Sequence, residues 1–290
     1  MIAPRIDTSR VNLYNEGCTT VFAYPGDPRF SYCLYVPPAD PAAPPPGLIV
    51  AVHDSIRTIN HCRDLFAGLG ARQRQVVLAP LFPADVLGDG NVDGYKYLIE
   101  GDVRYDLVLN GMIDLVAKTT GCDASRFCLF GFSGGGHFAH RFFYLHPERL
   151  AAVSIGAPGV VTLLDRERDF WVGVRNFEAL FGKRLDIEAM RATPVHMVIG
   201  AEDKQTWEIT IRPGNAWYME GADLAGPDRL ARLRALKASF EAAGIAVRHD
   251  AVPGAAHRME PMVPAVEDFF AETLSSGTTV AGTTATRRLG

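Results

Sequence analysis

The residues Gly131-Phe132-Ser133-Gly134-Gly135 stand between an apolar run, Arg126-Phe127-Cys128-Leu129-Phe130, and a helical stretch that opens Gly136-His137-Phe138-Ala139-His140. Gly-x-Ser-x-Gly between a strand and a helix is the setting of a nucleophile elbow, in which a sharp turn lifts a serine hydroxyl clear of the backbone. The turn forces its central residue into strained dihedrals, and flanking residues without a Cβ let strand and helix pass closely. Ser133 is therefore the candidate nucleophile. Gly134 would present its backbone N–H at the helix start, where the dipole favours developing negative charge.

A serine hydroxyl attacks poorly at neutral pH until a base takes its proton, and the base needs an acid to orient it. Further along, Val195-His196-Met197-Val198-Ile199-Gly200 runs into Ala201-Glu202-Asp203, and Val252-Pro253-Gly254-Ala255-Ala256 runs into His257. Both ends read as loops at the C-terminal ends of strands, which makes Asp203 the candidate acid, with Glu202 its alternative, and His257 the candidate base. His137 and His140, on the helix after the elbow, and His249, on a strand, read as packing or surface residues. His137 and His140 lack the glutamate of an H-E-x-x-H pair, so neither a metal nor a cofactor is expected. The chemistry of such a set is acyl transfer.

The elements that must carry these residues alternate. Strands are expected at 18–23, 31–36, 48–52, 75–79, 126–130, 150–155, 195–200 and 246–252, and helices at 58–71, 102–119, 134–145, 226–243 and 262–274. The first two strands read as an edge hairpin. The later ones are continuous apolar runs of the kind buried on both faces, which predicts an α/β fold with a mostly parallel sheet. In the helix at 102–119, Leu107, Leu109, Met112, Ile113 and Val116 fall near helical spacing. The proline-rich stretch 37–47 is a surface connection. Residues 159–193, with Phe170, Trp171, Phe177 and Phe181, read as a small cap inserted over the sheet, and 275–290, rich in Ser, Thr and Gly, as a disordered tail.

The Ser133 motif, Gly200-Ala201-Glu202-Asp203, Pro253-Gly254-Ala255-Ala256-His257 and the loop Val52-His53-Asp54-Ser55-Ile56-Arg57 follow one another in family order. In this the chain resembles the α/β-hydrolase superfamily, its esterase and polyhydroxybutyrate-depolymerase-like branches in particular, over about residues 17–274. The resemblance implies one α/β-hydrolase domain over 1–274: an eight-stranded, mostly parallel sheet with helices on both faces and the cap at 159–193. It also implies an oxyanion hole made by the amides of Gly134 and Ser55. Most relatives carry glycine where this chain has Asp54, a residue type that tolerates a left-handed backbone. The Asp54 carboxylate is expected to face away from the oxyanion, whose charge it would oppose. His53, Asp54, Phe132 and Trp171 are candidate substrate contacts, though the aromatic residues of the cap also serve as its packing core.

Composition narrows the partners. Of 290 residues, 29 are basic and 33 acidic, a formal charge of -4, so no basic stripe suited to nucleic acid is present. No apolar run approaches a membrane span. Residues 1–12 lack the apolar core of a secretory signal, which suggests a cytoplasmic protein. The cysteines, Cys18, Cys33, Cys62, Cys122 and Cys128, show no C-x-x-C spacing and read as reduced thiols, with a Cys18–Cys33 pairing left open. The expected function is hydrolysis of a small-molecule carboxylic ester through an acyl-enzyme. An amide, carbamate, peptide or thioester cut by the same triad, and a non-catalytic binding protein on this scaffold, stay open beside it.

Overall fold

In the computed structural model, which describes residues 16–280, short strands β1 (Gly17–Cys18) and β2 (Phe22–Ala23) both pair antiparallel with β3 (Ser31–Val36). One expected strand is thus two, because the ladder breaks at Thr19: its N–H still donates to the Leu34 carbonyl at 2.8 Å, but the Leu34 N–H goes to the Thr19 hydroxyl at 2.9 Å, and the Thr19 carbonyl accepts from Arg63 instead. Next come β4 (Gly47–Val52), α1 (Ile59–Gln73), β5 (Gln75–Leu81), α2 (Gly94–Tyr97), a ribbon of β6 (Ile99–Glu100) with β7 (Val103–Arg104), and α3 (Tyr105–Thr120). They lead to β8 (Phe127–Phe132), α4 (Gly134–Leu145), β9 (Leu150–Gly156), α5 (Phe177–Phe181), α6 (Ile187–Ala192), β10 (Val195–Gly200), α7 (Arg229–Ala242), β11 (Val247–Val252) and α8 (Val263–Val280).

Among the described residues the main sheet runs β1-β3-β5-β4-β8-β9-β10-β11, with β2 also on β3, giving nine strands where eight are expected. From β5 to β11 every pairing is parallel, so the ends that carry loops into helices all open on one side. Side chains of β8 alternate between helical layers: Phe130 meets Phe66 of α1 on one face, and Phe127 meets Phe142 of α4 on the other. Burial on both faces explains the unbroken apolar runs, since Val50, Val77, Leu129 and Val198 are wholly inaccessible. On α3 the core face is Leu109, Met112, Ile113 and Val116, as the spacing predicts, whereas Leu107 points to solvent.

One reading of the termini changes. Residues 275–280 continue α8 rather than starting a disordered tail, because the helical ladder begun at Val263 carries on to Val280. The rest of that tail, 281–290, and the residues 1–12 read as lacking a secretory signal lie outside the described residues. Cys18 is exposed and opposite Tyr35, Cys33 is buried opposite Ala79, and all five thiols are free. Among the described residues no helix is long and apolar enough to cross a membrane.

A polar row crosses the sheet under α8. Ser154 donates to His196 Nδ1 at 2.9 Å, and His196 Nε2–H donates to Asp250 at 3.0 Å, with the imidazole against Phe269. Burial, outweighing the nearby Asp250 carboxylate, pushes the His196 imidazole down to about 4. Its folded value lies below the ordinary one, so the unfolded chain takes up the proton first. The contribution is present in full above about pH 6.5 and is lost as pH falls toward 4, at most roughly 3 kcal/mol. Thermal unfolding followed from pH 7 to 4 should show stability falling with acidification. In His196→Gln, which keeps one donor and one acceptor, that slope should flatten by one proton.

Candidate active site

The strand β8 extends to Phe132 and α4 begins at Gly134, so Ser133 alone makes the turn. It does so with φ 53° and ψ -114°, a left-handed backbone that a side chain rarely adopts. Its N–H is held by the Gly156 carbonyl at 2.8 Å and its C=O accepts from His137 N–H at 3.0 Å, so both neighbours fix the strained residue. The glycines around it serve proximity. A Cβ on Gly131 would lie 2.0 Å from the Gly135 carbonyl oxygen, and one on Gly135 would lie 2.4 Å from that of Val52.

The acid and histidine loops are laced together. Ala201 N–H donates to the Val252 carbonyl and Glu202 N–H to that of Ala255, and a Cβ on Gly200 would strike the Ala255 carbonyl at 2.3 Å. This brings Asp203 beneath His257: Nδ1–H donates to Asp203 Oδ2 at 2.6 Å, and Nε2 accepts the Ser133 hydroxyl at 2.9 Å. Asp203 is buried and its second oxygen accepts from Arg229 Nη1 at 3.2 Å. Glu202 points to solvent and pairs with Lys204, which leaves Asp203 as the carboxylate in contact. The row Ser154–His196–Asp250 has the same residue types in the same order of contact, yet Ser154 and His196 are completely buried.

The backbone N–H groups of Gly134 and Ser55 have no hydrogen-bond acceptor among the described residues, and both residues line the cleft at Ser133. The Ser55 loop is tightly held. His53 is wholly buried, its Nδ1–H donating to the Asp54 carbonyl at 2.6 Å and its Nε2 accepting the Phe82 N–H at 3.0 Å. Burial pushes this imidazole down to about 3, so it stays neutral and keeps both bonds. Arg57, itself left-handed at φ 67°, donates to the carbonyls of Ser55, Phe82 and Val92 and covers the Tyr95 ring. The Asp54 carboxylate accepts the Ile56 N–H at 2.8 Å within its own turn, and Asp54 is not left-handed: Arg57 takes that part of the turn.

Four expected substrate contacts fall elsewhere. His53 is a pin between the loops after β4 and β5, Asp54 closes its own turn, and Phe132 is buried with its ring stacked on His257 at 4.9 Å. Trp171 is buried behind the cleft and donates to the Trp217 carbonyl. None is among the residues that line the cleft: His53, Phe132 and Trp171 are buried, whereas Asp54 is half-buried with its carboxylate on the Ile56 N–H. Phe170, Phe177 and Phe181 pack on one another within 159–193. His137 and His140 pin that segment: His137 Nε2 accepts the N–H groups of Gly159 and Val160, and His140 Nε2 that of Thr162. Desolvation holds both imidazoles well below their ordinary value. Among the described residues no cluster suits a metal ion.

The cleft itself is about 130 Å³ and mostly polar. Asp93, Lys96 and Tyr97 come from around α2, and Glu208, Thr210 and Trp217 from the stretch between β10 and α7. Lys96 pairs with Asp93 at 2.6 Å, and the rings of Tyr97 and Trp217 stack at 3.9 Å. Sequence reasoning missed both segments. The available signal is length: residues 201–228 run without a helical or strand period right after the acid loop, and carry Trp207 and Trp217. Their end is fixed by α7, where the Asp228 carboxylate caps the Ala231 N–H and Arg232 donates to the carbonyls of Gly159, Ile209 and Gly226.

The fold and this arrangement can be set beside solved structures. A poly(aspartic acid) hydrolase from Sphingomonas sp. KT-1 superposes with TM-score 0.72 at 19% identity, over 88% of this chain and 98% of that one. A poly(3-hydroxybutyrate) depolymerase from Bordetella parapertussis gives 0.66 at 23% identity, over 85% and 87%. A siderophore hydrolase from Aspergillus nidulans gives 0.56 at 13%, over 94% and 98%. Protein-family profiles and curated proteins gave no match. At these identities the likeness is one of architecture: the chain has the α/β-hydrolase fold.

The close approach at the elbow is testable without any substrate. Gly131→Ala and Gly135→Ala each push a Cβ into a carbonyl oxygen that neither the strand nor the helix can move away, so each should cost at least ~1–3 kcal/mol. Calorimetry would show this as a drop in Tm, and an unchanged Tm in both would refute the packing described.

Proposed function

We propose that this chain is a serine hydrolase that cleaves a carboxylic ester of a small molecule through an acyl-enzyme. The observation that carries the reading is the unbroken contact from Ser133 through His257 to Asp203, beside two backbone amides with no acceptor of their own. His257 Nε2 takes the Ser133 proton as Oγ attacks the carbonyl carbon, and Asp203 keeps Nδ1 protonated and supports the imidazolium. The negative oxygen of the tetrahedral intermediate is received by the amides of Gly134 and Ser55, each such donor being worth about 100- to 1,000-fold in rate. His257 returns the proton to the leaving alkoxide, and water repeats the sequence to free the acid. The helix α4 adds its positive end at the same point.

The esterase and depolymerase names among the structural neighbours fit this bond type. The poly(aspartic acid) hydrolase among them makes an amide the second bond to try. The cleft bears on size. At about 130 Å³ it is below the roughly 300–1,000 Å³ typical of drug-sized ligands, and charged groups line it, so a short acyl group suits it better than a long hydrocarbon.

A fluorophosphonate probe should label the wild-type protein at Ser133 and leave Ser133→Ala unlabelled, with hydrolysis of p-nitrophenyl acetate falling to background in that variant. Absence of labelling in the wild type would refute the serine-hydrolase reading. Asp203→Asn should lower kcat by roughly 1,000- to 10,000-fold with the fold intact by circular dichroism, while Glu202→Gln stays within about threefold of wild type. Across p-nitrophenyl acetate, butyrate and octanoate, kcat/KM should drop at least about tenfold at the octanoate. An octanoate rate equal to the acetate rate would rule out the small polar cleft as the acyl site.

A further inference from the structure

Arg229, the first residue of α7, has a side chain only 2% exposed. A guanidinium in that position is stable only with anions and acceptors around it. Its Nη1 donates to Asp203 Oδ1 at 3.2 Å and to the Gln205 carbonyl, and its Nη2 to Glu208 Oε2 at 2.9 Å. Asp203 therefore gives one oxygen to His257 and the other to Arg229, so the carboxylate cannot rotate without breaking one of two charge-assisted bonds. Glu208, less buried than its partner, lines the cleft. A continuous chain of contacts thus runs from the Ser133 hydroxyl through His257, Asp203 and Arg229 to Glu208 in the cleft wall.

We propose that Arg229 is a positioning residue for the triad, holding Asp203 in line with His257 and tying that alignment, through Glu208, to the wall against which substrate rests. This rests on the serine-hydrolase reading above. Arg229 also sets the field at His257. Its positive charge offsets part of Asp203, and Glu208 offsets part of Arg229. Removing the guanidinium leaves Asp203 uncompensated, which favours a protonated His257 and moves the acid-side loss of activity to higher pH. Neutralising Glu208 frees more of the Arg229 charge to oppose that proton, and moves the loss to lower pH. The other charges flanking the pair, Glu202–Lys204 and Arg258–Glu260, and the Asp93–Lys96 pair lining the cleft, are untouched by either change.

The test compares wild type, Arg229→Met, Arg229→Lys and Glu208→Gln with p-nitrophenyl acetate across pH, alongside circular dichroism and fluorophosphonate labelling. Arg229→Met should lose roughly 10- to 100-fold in kcat with KM within about threefold, and Arg229→Lys should recover part of that loss. The acid limb of kcat/KM should move up in Arg229→Met and down in Glu208→Gln. A residue that merely filled space would not give opposite shifts. Wild-type kcat in a folded Arg229→Met, or acid limbs that move together or not at all, would overturn the proposal. Should Arg229→Met not fold, Glu208→Gln and Arg229→Lys decide: unchanged kcat and unchanged pH profile in both would overturn it. A wild type that neither hydrolyses ester nor takes the probe instead removes the reading on which it stands.

Discussion

The arrangement hangs on how closely backbone meets backbone where β8 turns into α4. Gly131, Gly135 and Gly136 bring that junction against its own strand, against β4 and against β9, at separations where a single methyl group would strike a carbonyl oxygen. Only at that separation can Ser133 keep its left-handed backbone while Gly156 and His137 bind its peptide groups on either side. Everything else at the site is placed relative to this point. The Ser55 amide arrives on β4, the segment after β9 is pinned to α4 by His137 and His140, and the imidazole of His257 reaches the hydroxyl from β11.

A second constraint is the removal of water from the groups that orient others. His53, His137, His140 and Asp203 are all buried; His53, His140 and Asp203 spend their polar atoms on the backbone or on the next member of a chain, and His137 accepts two backbone N–H groups at Nε2 while its Nδ1 has no partner among the described residues. Neutral imidazoles make good pins because they donate at one nitrogen and accept at the other, as His53 does between Asp54 and Phe82. The charged members are spent differently. Arg57 and Arg232 gather carbonyls, whereas Arg229 joins two carboxylates and one carbonyl.

The strands of a mostly parallel sheet, the elbow and the two post-strand loops were legible because each is a local pattern: a continuous apolar run, a strand meeting a helix at Ser133, and an acid or histidine a few residues past a strand end. The cleft was not legible, because its lining comes from segments with no period, 93–97 and 201–228, joined only by the folded chain. His53 and Phe132 were misplaced for a related reason. Their positions in sequence lie beside the Ser55 loop and the elbow, and only the three-dimensional packing tells that Phe82 and His257 cover them. Thr19 shows the same limit on a smaller scale, since one hydroxyl taking a ladder position splits a strand that composition reads as whole.

The wall formed by 204–228 leaves the sheet after β10 and rejoins the fold at α7, and its middle packs in a small cluster with Tyr97, Val160 and Trp171 that is separate from the main core. Beyond Ile209, past the contacts that Glu208 and Ile209 make with Arg229 and Arg232, its length and side chains can change over evolutionary time without moving Ser133, much as a tool head is exchanged on a fixed handle. The freedom has one limit: any replacement must still deliver its final residues to the start of α7, where Asp228 caps the helix and two arginines hold the seam. Relatives with this seam and different walls would be expected to share a reaction and differ in what they accept.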